Sequence, residues 1–199
     1  MQELWSSASY EPHLLSLPFA FAPAAMFIVI AYALVMRGEP KLRAWMLLHF
    51  VALMPYSLTM ALSPSIHSPA AALAAFRVAG AFIPLAAAAG AGFQLTLLGK
   101  RGGWRIFVWA GVAVSTAWAV VGLTTEYIVV DVRWLPAGFW YASAGSLVWA
   151  TLVCTLLNSL PAFALLTLAA IRSKPSVERR QLRFVLAANI VTYTGLTDI

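Results

Sequence analysis

Long apolar runs recur along the chain and limit what it can fold into. A helix needs about 20 apolar residues to cross the roughly 30 Å of hydrocarbon in a bilayer, and several runs approach this length. Hydrophobic residues make up 62% of the chain and charged residues 10%, whereas a soluble domain carries about 25% charged residues. The sequence therefore predicts an all-α integral membrane protein, folded as a polytopic helical bundle.

Six membrane spans are predicted within a single transmembrane domain that covers residues 1–199. The spans are residues 14–36, 42–62, 71–98, 104–123, 146–171 and 182–199. Eleven of the thirteen Lys and Arg residues lie beside the turns after spans one, three and five, and only Arg77 and Arg133 lie on the opposite side. Because Lys and Arg concentrate in cytoplasmic loops, we predict that the N-terminus is outside.

The sixth apolar run reaches Ile199 with no Gly or Pro beyond its last periodic residue and no basic residue in its last turn. Six spans from an outside N-terminus would return the chain to the outer face. We therefore expect a seventh span, beyond these residues, before any cytoplasmic output domain.

The loop between spans four and five is predicted to form a short β-hairpin on the outer face. Two short β-like runs flank the turn Pro136-Ala-Gly138. The loop holds more aromatic residues than anchoring at the membrane interface requires. We predict that it forms a ligand-sensing surface built from Tyr127, Asp131, Arg133, Trp134, Trp140 and Tyr141.

Two charges in apolar runs are predicted to meet inside the membrane. Arg77 lies 23 residues before Lys100, about 35 Å along a helix, and Asp198 lies 15 residues after Arg183, about 22 Å. Intramembrane ionisable residues usually find a partner within the bundle, so we predict an Arg77–Asp198 pair. Alternatively, Arg77 extends to the outer interface alone.

Small residues recur at a spacing of four in span three, as Ala86/Gly90 and Ala88/Gly92. Such a face lets helices approach closely, either within the bundle or in a homodimer. In span two, His49 is expected to form a hydrogen bond between helices. A haem there would need a Met or a partner subunit to supply its second ligand.

Several classes of function find no support in the residues. Lys41, Lys100 and Lys174 all flank spans, so none can hold retinal as an intramembrane Schiff base. No Gly-rich phosphate loop, nucleophile elbow or catalytic carboxylate pair is present, and the outer His and carboxylate residues lack zinc-ligand spacing. We predict no catalytic site, metal or cofactor.

The net charge of +6 is assigned to cytoplasmic loops rather than to nucleic-acid binding. The predicted partners are the lipid bilayer and a homodimer or larger membrane complex.

Two segments resemble the seven-helix N-terminal sensor region of bacterial membrane histidine kinases and related signalling proteins. The first holds residues 122–125 (GLTT), 136–141 (PAGFWY) and 145–149 (GSLVW), and the second runs from 179–184 (RRQLRF) to 194–198 (TGLTD). The resemblance implies the bacterial inner membrane, a seventh helix and cytoplasmic PAS or kinase domains of a two-component system. It carries over neither a phosphoacceptor His nor an ATP site.

The resulting expectation is a membrane sensor or input module whose output lies outside these residues. The alternative is a small integral subunit that packs against a larger respiratory or photosynthetic complex. A transporter fragment is disfavoured because no broken helix or inverted repeat is evident.

Overall fold

A computed structural model describes residues 10–11, 13–35, 39–173 and 177–195. These described residues form six α-helices, one 3₁₀ turn and a two-stranded antiparallel sheet. In chain order these are α1 Ser16–Val35, α2 Pro40–Leu62, the 3₁₀ turn Ser63–Ser65, α3 Pro69–Leu97, α4 Gly103–Thr124, β1 Val129–Leu135, β2 Phe139–Ala144, α5 Val148–Arg172 and α6 Val177–Gly195.

Two helices begin two residues earlier than the sequence predicts, and both begin at a proline. Pro40 opens α2 and Pro69 opens α3. Proline is favoured at the first helical position, because its φ is already helical and the missing N–H would have no partner there. Ser68 caps α3 by accepting a hydrogen bond from the Ala71 amide at 3.3 Å.

Five of the described helices, α1 to α5, are long and apolar enough to cross a membrane. This confirms a multi-pass helical membrane protein. The predicted sixth span coincides with a helix, α6, but this helix carries Glu178, Arg179, Arg180 and Arg183 near its start. Because of these charges α6 does not meet the same requirement, and the sixth span stays a prediction.

The central element is α3, which packs against α2, α4, α5 and the hairpin. Its small residues lie in the interior: Ala86 and Ala88 are buried, and Gly90 faces the His49 ring of α2. A Cβ at Gly92 would lie 2.5 Å from the Trp45 ring, closer than real carbon atoms pack. The Ala/Gly run therefore serves packing within the bundle, and a homodimer would have to use another surface.

The molecule has two ends, which lie at opposite ends of the helices. The hairpin end holds residues 10, 11 and 13 with 63–68 and 125–147, and these segments contact one another. The basic end holds residues 39–45 and 96–109, which share one cleft. The hairpin end coincides with the predicted outer face, while the side of the membrane on which it lies stays a prediction.

The close contact between Gly92 and Trp45 predicts that a larger side chain at position 92 destabilises the bundle. We expect Gly92→Ala to lower the free energy of unfolding by about 1–3 kcal/mol, because the added methyl group overpacks the α2–α3 contact. The measurement is unfolding in mixed dodecyl maltoside and SDS micelles, followed by helical circular dichroism. Gly103→Ala is the matched control, since a Cβ there meets nothing within 4 Å. Equal losses in the two variants would contradict the prediction.

Candidate functional site

The predicted hairpin is present and forms the outer layer of the hairpin end. Its strands pair in antiparallel register, with Arg133 opposite Tyr141 and Trp134 opposite Trp140. Gly138 closes the turn with φ +89°, a conformation that other residues rarely adopt, and its amide donates to the Leu135 carbonyl at 3.0 Å. The register is irregular between Val129 and Asp131. Residues before Asp131 therefore do not follow the side-chain alternation of the rest of β1.

Trp140 holds the hairpin onto the turn between α2 and α3. Its indole Nε1 donates to the Ile66 carbonyl at 2.7 Å, and its backbone N–H donates to the Ser63 hydroxyl at 2.9 Å. Val132, on the same face of the hairpin, is buried in a cluster with Ile66 and Ala72. The hairpin is therefore packed on the helices.

The segment before α1 covers the same turn from the other side. Tyr10 forms an isolated antiparallel bridge with Ile66, and the Glu11 amide donates to the Ser65 carbonyl at 2.8 Å. The His67 ring and the Glu11 carboxylate lie 2.7 Å apart. Burial raises the pKa of the Tyr10 hydroxyl, so the phenol stays neutral. Residues 63–68 thus connect the hairpin to the N-terminal segment.

The six residues of the predicted ligand-sensing surface do not form one pocket. Arg133 and Tyr141 share the outer face of the hairpin, with the guanidinium carbon 5.3 Å from the ring centroid. Asp131 is exposed on the same face, and no ion pair involves it among the described residues. These three side chains form a polar face that is open to solvent.

The other three residues of that set lie elsewhere. Trp140 is the anchor described above, and Trp134 packs against it with ring centroids 5.4 Å apart. Tyr127 precedes β1, with an exposed ring and a carbonyl that accepts from the Leu147 amide at 2.8 Å. Binding of a ligand to any of the six stays a prediction.

Arg77 connects α3 to the segment that leads into the hairpin. Its Nη2 lies 2.9 Å from a carboxylate oxygen of Glu126, and its Nε donates to the Val129 carbonyl at 3.2 Å. Asp198 lies outside the described residues, so the Arg77–Asp198 pair stays a prediction. Sequence reasoning missed Glu126, although a carboxylate two residues after α4, the neighbour of α3, was the signal available.

Polar side chains also connect helices inside the bundle. The His49 Nδ1 lies 2.8 Å from the Ala86 carbonyl oxygen, which confirms the predicted bond between helices. The Gln94 Nε2 donates to the Asn189 Oδ1 at 2.8 Å, which joins α3 to α6. The Asn158 amide donates to the Ser115 hydroxyl at 3.1 Å, which joins α5 to α4.

Within the described residues, no group of three or more His, Cys, Asp or Glu side chains is placed to hold a metal ion. No known protein family, curated protein or solved structure matches the chain. The class that the fold defines is a multi-pass helical membrane protein in which a β-hairpin, docked by Trp140, covers part of one end of the bundle.

The indole bond of Trp140 predicts how the hairpin can be released. Trp140→Phe keeps the ring but leaves the Ile66 carbonyl unpaired, which costs about 1–3 kcal/mol for a buried group. We expect faster trypsin cleavage after Arg133 in the purified protein. Trp134→Phe is the control, because the Trp134 ring is 46% exposed. Cleavage at the same rate in both variants would argue against docking through the Trp140 indole.

The two interactions of Arg77 can be separated by substitution. Glu126→Gln removes only an ion pair whose carboxylate is exposed, so we expect a loss of at most about 1 kcal/mol in the free energy of unfolding. Arg77→Met also removes the charged hydrogen bond to Val129, for which about 1.5–3 kcal/mol more is expected. Unfolding in SDS, followed by circular dichroism, measures both. A larger effect from Glu126→Gln than from Arg77→Met would refute this assignment.

Proposed function

We propose that this chain is the membrane sensor or input module of a bacterial signalling protein of the histidine-kinase type, located in the inner membrane. In this proposal the hairpin end is outside and receives a signal from the outer face or from the membrane. The output is a cytoplasmic domain outside these residues. The observation that carries the proposal is the position of α3 between the hairpin and α6.

The connection through α3 rests on two sets of side-chain contacts. At the hairpin end, Arg77 bonds to Val129 and Glu126. Seventeen residues further along α3, Gln94 bonds to Asn189 of α6, and this separation is about 25 Å at helical rise. Both contacts lie on one continuous helix, so a displacement of the hairpin that moves α3 reaches α6 directly through the Gln94–Asn189 bond. Because α5 packs against both α3 and α6, it offers a second route.

A signal can act on this connection only if it binds two positions of the bundle with different affinity. The polar face formed by Asp131, Arg133 and Tyr141 is the surface proposed to receive it, because its side chains are not needed to dock the hairpin. Occupation of that face would shift the hairpin, and α3 would pass the shift to α6 and on to the predicted seventh span.

The coupling is tested by a double-mutant experiment with spin labels. In a Cys154→Ser background, labels at Gln181→Cys on α6 and Ile106→Cys on α4 report the interhelical distance by pulsed electron resonance. We expect Arg77→Met to shift this distance distribution, and to shift it less once Gln94→Leu has removed the bond to Asn189. Coupling energies in such networks are about 0.5–2 kcal/mol, enough to change the populations visibly.

Two results would count against the sensor proposal. The first is an unchanged distance distribution in Arg77→Met, or an equal change with and without Gln94. The second concerns the protein isolated from its own membranes in mild detergent. Stoichiometric migration with a large respiratory or photosynthetic complex would favour the integral-subunit alternative. Migration as a monomer or dimer is the result expected for a sensor module.

A further inference from the structure

A cleft of about 620 Å³ opens at the basic end of the bundle. It lies between the start of α2, the end of α3 and the start of α4, and its volume falls within the roughly 300–1,000 Å³ typical of ligand sites. Its walls carry four cationic side chains and three indole rings. These are Lys41, Lys100, Arg101 and Arg105, with Trp45, Trp104 and Trp109.

The charges that line the cleft are not balanced. Among the described residues on its walls, Glu39 is the one carboxylate, against four cations. No ion pair neutralises these cations within the described part of the chain. Like charges gathered at a low-dielectric surface raise the local potential and attract an anion.

The turn from α3 to α4 adds to this potential through its backbone. Gly99, with φ +65°, ends α3, and the amides of Gly99 and Lys100 donate to the Thr96 and Leu95 carbonyls at 2.9 Å each. The last carbonyls of α3 are thereby satisfied. By contrast, α4 begins after Gly102 with no side-chain cap. Because Gly102 and Arg105 line the cleft, the positive end of the α4 dipole lies beside it.

A shallow, open apolar groove, lined by α4 alone, continues from the cleft. Gly102, Arg105 and Trp109 line both spaces, and Ile106 and Ala110 extend the groove along the helix. The Ile106 side chain is 74% exposed. A cationic cleft that opens directly into an apolar groove complements an amphiphile, whereas a free anion would leave the groove unused.

We propose that this end of the bundle binds one anionic phospholipid. Its phosphate lies in the cleft among Lys100, Arg101 and Arg105, and an acyl chain lies in the groove beside Ile106. Trp109, whose ring centroid lies 5.2 Å from that of Trp45, sits where the two parts of the lipid join. Basic pockets between membrane helices recognise lipid headgroups in this way. The proposal does not depend on the sensor function.

Native mass spectrometry of the full chain in a neutral detergent tests the site. The protein is titrated with phosphatidylglycerol and, separately, with phosphatidylcholine of the same acyl chains. We expect saturable binding of one phosphatidylglycerol and weaker binding of phosphatidylcholine. In Lys100→Gln/Arg101→Gln the Kd for phosphatidylglycerol should rise about 30-fold, at about 1 kcal/mol for each cation removed.

The matched control is Arg180→Gln/Arg183→Gln on α6, which removes the same charge from side chains outside the cleft. A rise of less than about threefold is expected there, because the charges lie beyond direct contact. Equal weakening in both double variants would mean diffuse attraction and overturn the proposal. Absence of a preference for phosphatidylglycerol over phosphatidylcholine would overturn it as well.

A second variant separates a lipid from a free phosphate. Ile106→Ser shortens the apolar wall and keeps every cation, so it should weaken phosphatidylglycerol binding several-fold at about 0.8 kcal/mol per CH₂ exposed. Inorganic phosphate should bind far more weakly than the lipid and should not respond to this substitution. If inorganic phosphate binds as tightly as phosphatidylglycerol, the site is not a lipid site.

Discussion

Close approach of helix backbones along α3 is the constraint on which the rest of this structure depends. Lipid tails are as apolar as leucine side chains, so helices in a bilayer gain little from the hydrophobic effect when they associate. They rely instead on van der Waals contact and hydrogen bonds. The Ala and Gly residues of α3 supply that contact, and more than half of the helix is buried. Its neighbours α2, α4 and α5 are arranged around it.

Hydrogen bonds add direction to this packing. The bonds from His49 to Ala86, from Gln94 to Asn189 and from Asn158 to Ser115 each join two different helices. Interhelical bonds of this kind contribute about 0.6 kcal/mol on average, too little to hold a bundle together. They fix the rotation and the axial position of one helix relative to another. At the hairpin end, where water is available, Trp140 and Arg77 do the same for the β-hairpin.

The helices and the hairpin could be predicted from the sequence because each depends on local signals. Apolar runs gave the five helices that can span, and the turn Pro136-Ala-Gly138 gave the hairpin. The early starts at Pro40 and Pro69 were not predicted, because proline is common in turns as well as at the first helical position. The apolar run predicted α6 only from residue 182 onward, because the residues at the start of this helix are mostly charged.

The candidate site was less predictable because it depends on contacts between distant residues. Nothing in the local pattern distinguishes Trp140, which docks on Ile66, from Trp134, which is 46% exposed at the hairpin. The irregular register near Asp131 further obscures which side chains share a face. Likewise, counting residues along separate helices gives the depth of Arg77 but not the direction of its side chain, so Glu126 was missed as its partner.

The fit between Trp45 and Gly92 also has an evolutionary consequence. The indole fills the notch left by the missing side chain and also lines the cationic cleft. A lineage that enlarges position 92 must therefore shrink position 45 at nearly the same time, and in doing so it opens the cleft. Substitutions at the two positions should therefore be inherited together. The ligand preference of the cleft should change only when the packing inside the bundle changes as well.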